Sequence, residues 1–177
     1  MRTRWLGAIL GMVILAAGAT SVGATGAIHA HARIVDASGA AIGWAALTED
    51  ATGRLHLSVH VDGLATGRHG IHLHAVGICE GPTFATAGGH HNPLGVEHGL
   101  DNPAGAHAGD LPNLIVNVAG RGRLVASTDR ATLSAGLVSL IDADGSAIII
   151  HANEDDQVHS PTGNSGGRIA CGVIQAD

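Results

Sequence analysis

The chain has no lysine and no tyrosine, and its only aromatic residues are two tryptophans and one phenylalanine. A core must therefore be built from Val, Ile, Leu and Ala. All nine basic residues are arginines, set against 15 acidic ones for a net charge of -6. No basic patch, aromatic platform or nucleic-acid motif is visible, which argues against nucleic acid as a partner. Cysteine is almost absent too, with only Cys79 and Cys171. Long apolar runs are confined to one, from Trp5 to Ala17, and that run is short of the roughly 20 residues that span a bilayer.

Arg2 and Arg4 precede that run, and small residues ending in Val22-Gly23-Ala24 follow it. This is the pattern of a secretory signal peptide over residues 1–24, cut after Ala24, leaving residues 25–177 as one domain. A retained membrane anchor is the alternative, and the absence of cysteine after the run argues against a lipid anchor. The mature chain keeps seven arginines against 15 acids, or -8. The expectation is an acidic protein exported to the periplasm or cell exterior, with no stable membrane insertion once the leader is gone. In an oxidising compartment two cysteines imply a disulfide, with two separate buried thiols as the alternative.

The mature chain reads as strands. Ile28, Ala30, Ala32 and Ile34 alternate with His29, His31 and Arg33; Leu55, Leu57, Val59 and Val61 alternate with His56, Ser58 and His60. Asp36-Ala37-Ser38-Gly39 and Glu49 to Gly53 supply turn chemistry on either side of an apolar segment at 42–47. Further strands are expected at 69–75, 114–119, 122–126, 137–141, 147–151 and 169–174. Helical periodicity is not found. Eight or nine short strands imply an all-β antiparallel sandwich or barrel.

What is abundant is histidine. The stretch Gly67–Asp110 holds seven of the 13. Within His69-Gly70-Ile71-His72-Leu73-His74, strand alternation places His72 and His74 on one side and Ile71 and Leu73 on the other. A long segment rich in Gly, Pro and Asn then carries His90, His98, His107 and Asp110, a set able to close a tetrahedral shell around zinc. Its length without secondary structure suggests a functional loop. His72 and His74, with His151 at the end of Ala147-Ile148-Ile149-Ile150, form a second imidazole-rich group of the kind that suits copper. His29, His31, His56 and His60 are read as outward polar positions rather than a further metal-binding patch, and His159 likewise.

These segments, with Ala87-Gly88-Gly89-His90-His91-Asn92-Pro93, His107-Ala108-Gly109-Asp110-Leu111-Pro112-Asn113, His151 with Asp155 and Asp156, and Gly163 to Gly172, resemble the copper/zinc superoxide dismutases over nearly the whole mature chain. The resemblance implies a Greek-key β-sandwich or barrel of about eight strands with long metal-binding and active-site loops. It implies a copper cation on His72, His74, His90 and His151, and a zinc cation on His90, His98, His107 and Asp110, with His90 bridging. Asp155 would hold one ligand of each metal, Arg168 would meet the substrate superoxide, and Cys79 would pair with Cys171. The reaction would yield oxygen and hydrogen peroxide, with His90 taking up and returning a proton. Relatives that are monomers and relatives that are dimers leave a homodimer open. Two departures stand out: His91 occupies a position usually aromatic, where packing or solvent exposure is expected, and the lysines that guide superoxide in many members are missing.

Overall fold

The computed structural model describes residues 26–177; the leader read from the sequence lies outside them. Alternation of apolar and polar residues becomes ten antiparallel strands: β1 (Ile28–Asp36), β2 (Ala41–Glu49), β3 (Leu55–Val61), β4 (Gly67–His69), β5 (Ile71–His74), β6 (Leu114–Val116), β7 (Gly122–Thr128), β8 (Ala147–His151), β9 (Arg168–Val173) and β10 (Gln175–Ala176). They form one sheet in the order β4-β6-β7-β3-β2-β1-β9-β8-β5, with β10 on β1. β4 and β5, at opposite ends of this path, are consecutive in the chain and separated only by Gly70. The segment thus pairs with β6 before the glycine and with β8 after it, which curls the sheet into a nearly closed all-β barrel. The pairings of β3 with β7 and of β1 with β9 require the long crossovers of a Greek key.

Three of the hairpin turns use one device. Asp36 and Asp50 each accept hydrogen bonds from backbone N–H groups two and four residues on, as does Asn117, and a glycine three residues on adopts positive φ. Inside the barrel the core is aliphatic, with Ile34, Leu47, Leu55, Leu57, Val59, Leu73 and Leu114 fully or almost fully buried. The single phenylalanine, Phe84, belongs to a smaller cluster outside the sheet with Ala87, Ala147, Ile149 and Cys171. Cys79 and Cys171 are disulfide-bonded, Cα atoms 5.7 Å apart, tying the loop after β5 to β9.

Residues 137–141, expected as a strand, are instead a loop touching Thr132 through one bridge at Ser139. Leu140 is buried but Leu137 is 69% exposed, and the backbone donors are used locally, Leu140 N–H by Thr132 and Thr132 N–H by Val138. The 114–119 strand ends at Val116, where the Asn117 turn begins. The loop over 131–140 is anchored by Glu49, whose buried carboxylate accepts the N–H groups of Leu133 (2.6 Å) and Ser134 (2.7 Å) and the Ser134 hydroxyl (2.7 Å). Burial opposes ionisation of Glu49, but these hydrogen bonds outweigh it and hold the pKa below its usual value. A depressed carboxylate contributes stability above its unfolded pKa and loses it as pH falls. Glu49→Gln is expected to cost about 1.5–3 kcal/mol in urea unfolding at pH 7. The gap from wild type should narrow below about pH 4, where the unfolded carboxylate protonates; equal stabilities at pH 7 would remove Glu49 from this role.

Candidate metal centre

Both faces of β5 are covered. Ile71 and Leu73 enter the barrel core while His72 and His74 lie buried beneath the loops, opposite Ile149 and Ala147 of β8. A register shift between Ile150 and His151 re-aims the end of β8, and the His151 N–H donates to Gly70. His90 reaches the same place from the loop, bridged to His74.

Backbone and carboxylate acceptors fix the tautomers. His74 Nδ1 donates to the Gly88 carbonyl (3.0 Å) and His151 Nδ1 to the Gly166 carbonyl (3.0 Å), since a carbonyl can only accept. His72 Nε2 donates to Asp155 Oδ2 (2.7 Å). The nitrogens left over, His72 Nδ1, His74 Nε2 and His151 Nε2, are buried without a partner, and His90 Nε2 is a fourth. One donor atom from each of these four residues lies within 4.8 Å of the others. Buried polar atoms are rarely left unpaired, so four converging lone pairs point to a cation.

The other nitrogen of His90 faces a second group. Asp110 Oδ1 lies 3.0 Å from His90 Nδ1, 3.0 Å from His98 Nδ1 and 3.3 Å from His107 Nδ1, and His107 Nδ1 is 3.3 Å from His90 Nδ1. Tetrahedral zinc with bonds near 2.0–2.1 Å requires donors about 3.3 Å apart, and these four spacings are close to that. His72 also falls within 4.8 Å of His90, His98 and Asp110 because its ring stacks on His90 at 3.8 Å, but its Nε2 is engaged by Asp155. Asp110 Oδ2 accepts the N–H groups of Gly99 (2.8 Å) and His107 (2.9 Å), which folds the loop around its carboxylate.

Charge follows the same division. Burial pushes the imidazoles of the first group down, His72 to about 3, His74 to about 2 and His151 to about 4, so their lone pairs are free at neutral pH. Burial also pulls His98 down, but hydrogen bonds to Asp110 and Asp155 prevail and raise it to about 9. Burial opposes ionisation of Asp110 and Asp155, yet hydrogen bonds from His107, His90 and His98 to the first, and from His72 and His98 to the second, hold both well below the usual carboxylate range. The result is a neutral set of nitrogen donors beside one that pairs the Asp110 carboxylate with a protonated His98. Cation binding there must displace the His98 proton.

Asp155 joins the groups. Besides His72 it accepts His98 Nε2 (3.0 Å) on Oδ1, along with the Gln157 N–H (2.7 Å), and its backbone is held by both ends of the Asn113 amide. Gly163, at φ +58°, packs against this junction; an added Cβ would overlap Asp155 Oδ1 and lie 2.7 Å from His98 Nε2. Gly163→Ala is therefore expected to break the Asp155 contact and weaken zinc binding by roughly 10- to 100-fold in a chelator competition. An unchanged affinity would show that Asp155 does not position His98.

Arg168 opens β9 beside His151, and its guanidinium donates to the carbonyls of Phe84 (2.5 Å) and Gly88 (2.6 Å). Gly88 thus holds both a donor histidine and the arginine. Arg168 lines an open cleft of about 420 Å³ with Pro82, Thr83, Ala85, Gly166 and Gly167. Arg130, which sequence reasoning did not single out, grips the opposite loop by donating to the backbone carbonyls of His107 (3.3 Å) and Asp110 (3.0 Å). Asn113 and Gly163 were not assigned roles either. Their work is done on backbone or by leaving space, which residue type does not announce.

The remaining histidines lie outside both groups. His91 is buried, 4% exposed, next to Asn92 and facing Asp142 and Asp144 across a cleft. His69 ties loop backbone, its ring nitrogens 2.8 Å and 2.9 Å from the carbonyls of His151 and Ala65. His159 pairs with Asp156, and His29, His31, His56 and His60 sit on the outer sheet face.

Known proteins agree with this geometry. The family model described as "Copper/zinc superoxide dismutase (SODC)" matches residues 41–174. "Superoxide dismutase [Cu-Zn] 2" of Aquifex aeolicus is 41% identical over 84% of this chain and 87% of its own. "Superoxide dismutase-like protein YojM" of Bacillus subtilis is 40% identical over 85% and 78%. Among solved structures, "Cu/Zn superoxide dismutase from Brucella abortus" superposes with a TM-score of 0.68 at 26% identity, covering 83% of this chain and 99% of that one. A barrel of this topology, two donor groups meeting at His90 and relatives of this similarity over most of the sequence have one explanation: the chain belongs to the copper/zinc superoxide dismutase family of oxidoreductases.

Proposed function

We propose that the chain disproportionates superoxide to oxygen and hydrogen peroxide, with copper held by His72, His74, His90 and His151 and zinc by His90, His98, His107 and Asp110. The observation that carries this reading is the set of four unpartnered buried nitrogens facing one another, with the far side of His90 turned to the Asp110 carboxylate and its histidines. Copper supplies one-electron chemistry, so that one superoxide is oxidised to oxygen and a second, with two protons, leaves as hydrogen peroxide.

The protein's own residues supply the rest. His90 presents Nδ1 to one group and Nε2 to the other, so a bridging ring must give up both protons, which two adjacent cations make feasible. His90 Nε2 would be the site that takes up one proton and gives it to the departing peroxide, the second proton coming from solvent. Asp155 keeps His72 and His98 oriented throughout. Arg168 uses two of its donors on carbonyls, which fixes the guanidinium plane, and its permanent charge draws a small anion to a protein that is otherwise acidic.

The leader sequence and the disulfide support an exported location, in the periplasm or outside the cell. The decisive experiment compares superoxide decay with metal-loaded wild type and Arg168→Ala. Loss of the guiding charge should slow the catalysed rate roughly 10-fold or more. A wild type no faster than a His151→Ala variant assayed alongside would mark a metal-holding protein rather than an enzyme, and one no faster than Arg168→Ala would remove the arginine from the reaction.

A further inference from the structure

The sheet assembles a cationic face that the sequence keeps scattered. In register across β1, β2, β3, β7, β6 and β4 stand Arg33, Trp44, His60, Arg123, Ile115 and Arg68. All project outward, because their neighbours along each strand, among them Ile34, Ala45, Val59, Leu124 and Leu114, are buried in the core. With strands about 4.8 Å apart the row runs roughly 24 Å. In the two parallel rows that begin at His31 and His29 on β1 no outward strand position is Asp or Glu, and the carboxylates there, Asp177 and Asp50, come from flanking segments and are taken up by His31 and His56. β2 and β3 lie mid-path in the sheet order, so Trp44 and His60 in the middle of the row stand away from the metal donors on β5 and β8, while the row's end at Arg68 lies on β4 next to β5.

Two further features separate the row from an ordinary solvated surface. Arg68 is paired with Glu154, but among the described residues Arg33 and Arg123 have no carboxylate within ion-pair distance. Trp44, the one tryptophan in the described chain, is not in the core. It is 50% exposed and stacks on His60 with ring centroids 4.5 Å apart and planes at 22°, making a flat platform between the two unpaired arginines.

We propose that this face docks an acidic polysaccharide, a linear glycan carrying carboxylate groups. Arginine forks match carboxylates, and a half-exposed indole stacked on an imidazole offers an apolar plane to the face of a sugar ring. The row follows the convex outside of the curled sheet, which suits a chain lying across the strands. Trp44 and Ile115 are separated by His60 and Arg123, so no continuous apolar surface is presented for a bilayer to bury.

The test measures binding of the metal-loaded protein to polygalacturonate, with neutral dextran and phosphatidylglycerol vesicles as the other arms. Binding should be specific to polygalacturonate and weaken with salt. Arg33→Gln combined with Arg123→Gln should lower the slope of log Kd against log salt by roughly 1 to 2. Trp44→Ala should weaken binding while leaving the slope unchanged, and all variants should keep wild-type dismutation and Tm. Absence of binding, binding equal in the double variant, or capture by the vesicles but not the glycan would each overturn the proposal.

Discussion

Replacing His151 by alanine is expected to lower superoxide dismutation by more than the roughly 100-fold that losing a hydrogen-bonding partner behind a metal ligand can cost. The change deletes one of the four unpartnered nitrogens outright, and the neighbouring histidines do not replace it, because His91 belongs to neither donor group and His69 is committed to carbonyls. The fold should survive, since what residue 151 gives the scaffold is its backbone: its N–H donates to Gly70 and its carbonyl accepts from His69, and both remain in the variant. Zinc retention should survive as well, because none of His90, His98, His107 or Asp110 depends on the His151 ring. Superoxide decay measured alongside zinc and copper content checks the claim. Activity above a tenth of wild type at equal copper content would remove His151 from the reactive set.

The second large effect concerns stability. Changing Cys79 and Cys171 to serine frees a loop with its ends 92 residues apart in sequence. In the chain-entropy description this costs about 4.5 kcal/mol. For a domain of this size that lowers Tm by roughly 10–15 °C. A functional loss should accompany it. Cys79 starts the segment whose Phe84 and Gly88 carbonyls hold Arg168 and His74, and Cys171 lies three residues beyond Arg168 on β9. Cutting that tie is expected to let Arg168 and His74 drift apart even at temperatures where the barrel is folded. Calorimetry with and without reductant, on wild type and on the double serine variant, provides the check. Wild type in reductant should approach the variant, and a Tm difference under 2 °C would contradict the assigned role.

The strands on which one face meets solvent were legible because alternation is written directly into residues such as Leu55, Leu57, Val59 and Val61 against His56, Ser58 and His60. β5 was legible for a different reason: two histidines at spacing two amid Ile71 and Leu73 declare a side, although burial of both faces erases the usual polarity contrast. The 137–141 stretch misled because Leu137, Val138, Leu140 and Ile141 look strand-like, while its backbone bonds back to Thr132 in a loop whose other arm, at Leu133 and Ser134, is fastened by Glu49, more than eighty residues earlier. Gly70 could not be read as the point where one strand changes partners and closes the barrel, since that depends on β6 and β8. The carbonyls of Gly88 and Gly166, which set two imidazole tautomers, belong to glycines that looked like turn punctuation. The cationic face was hidden for the same reason. Arg33, Arg123 and Arg68 are far apart in sequence and meet only through register.

The central claim is that residue 90 is shared by two ions. A crystal structure of the protein loaded with one copper and one zinc tests it most directly. His90 Nδ1 and Nε2 should each lie about 2.0–2.1 Å from a different ion. A His90 ring that touches one ion only, with the other group closing around its metal without it, would contradict the account.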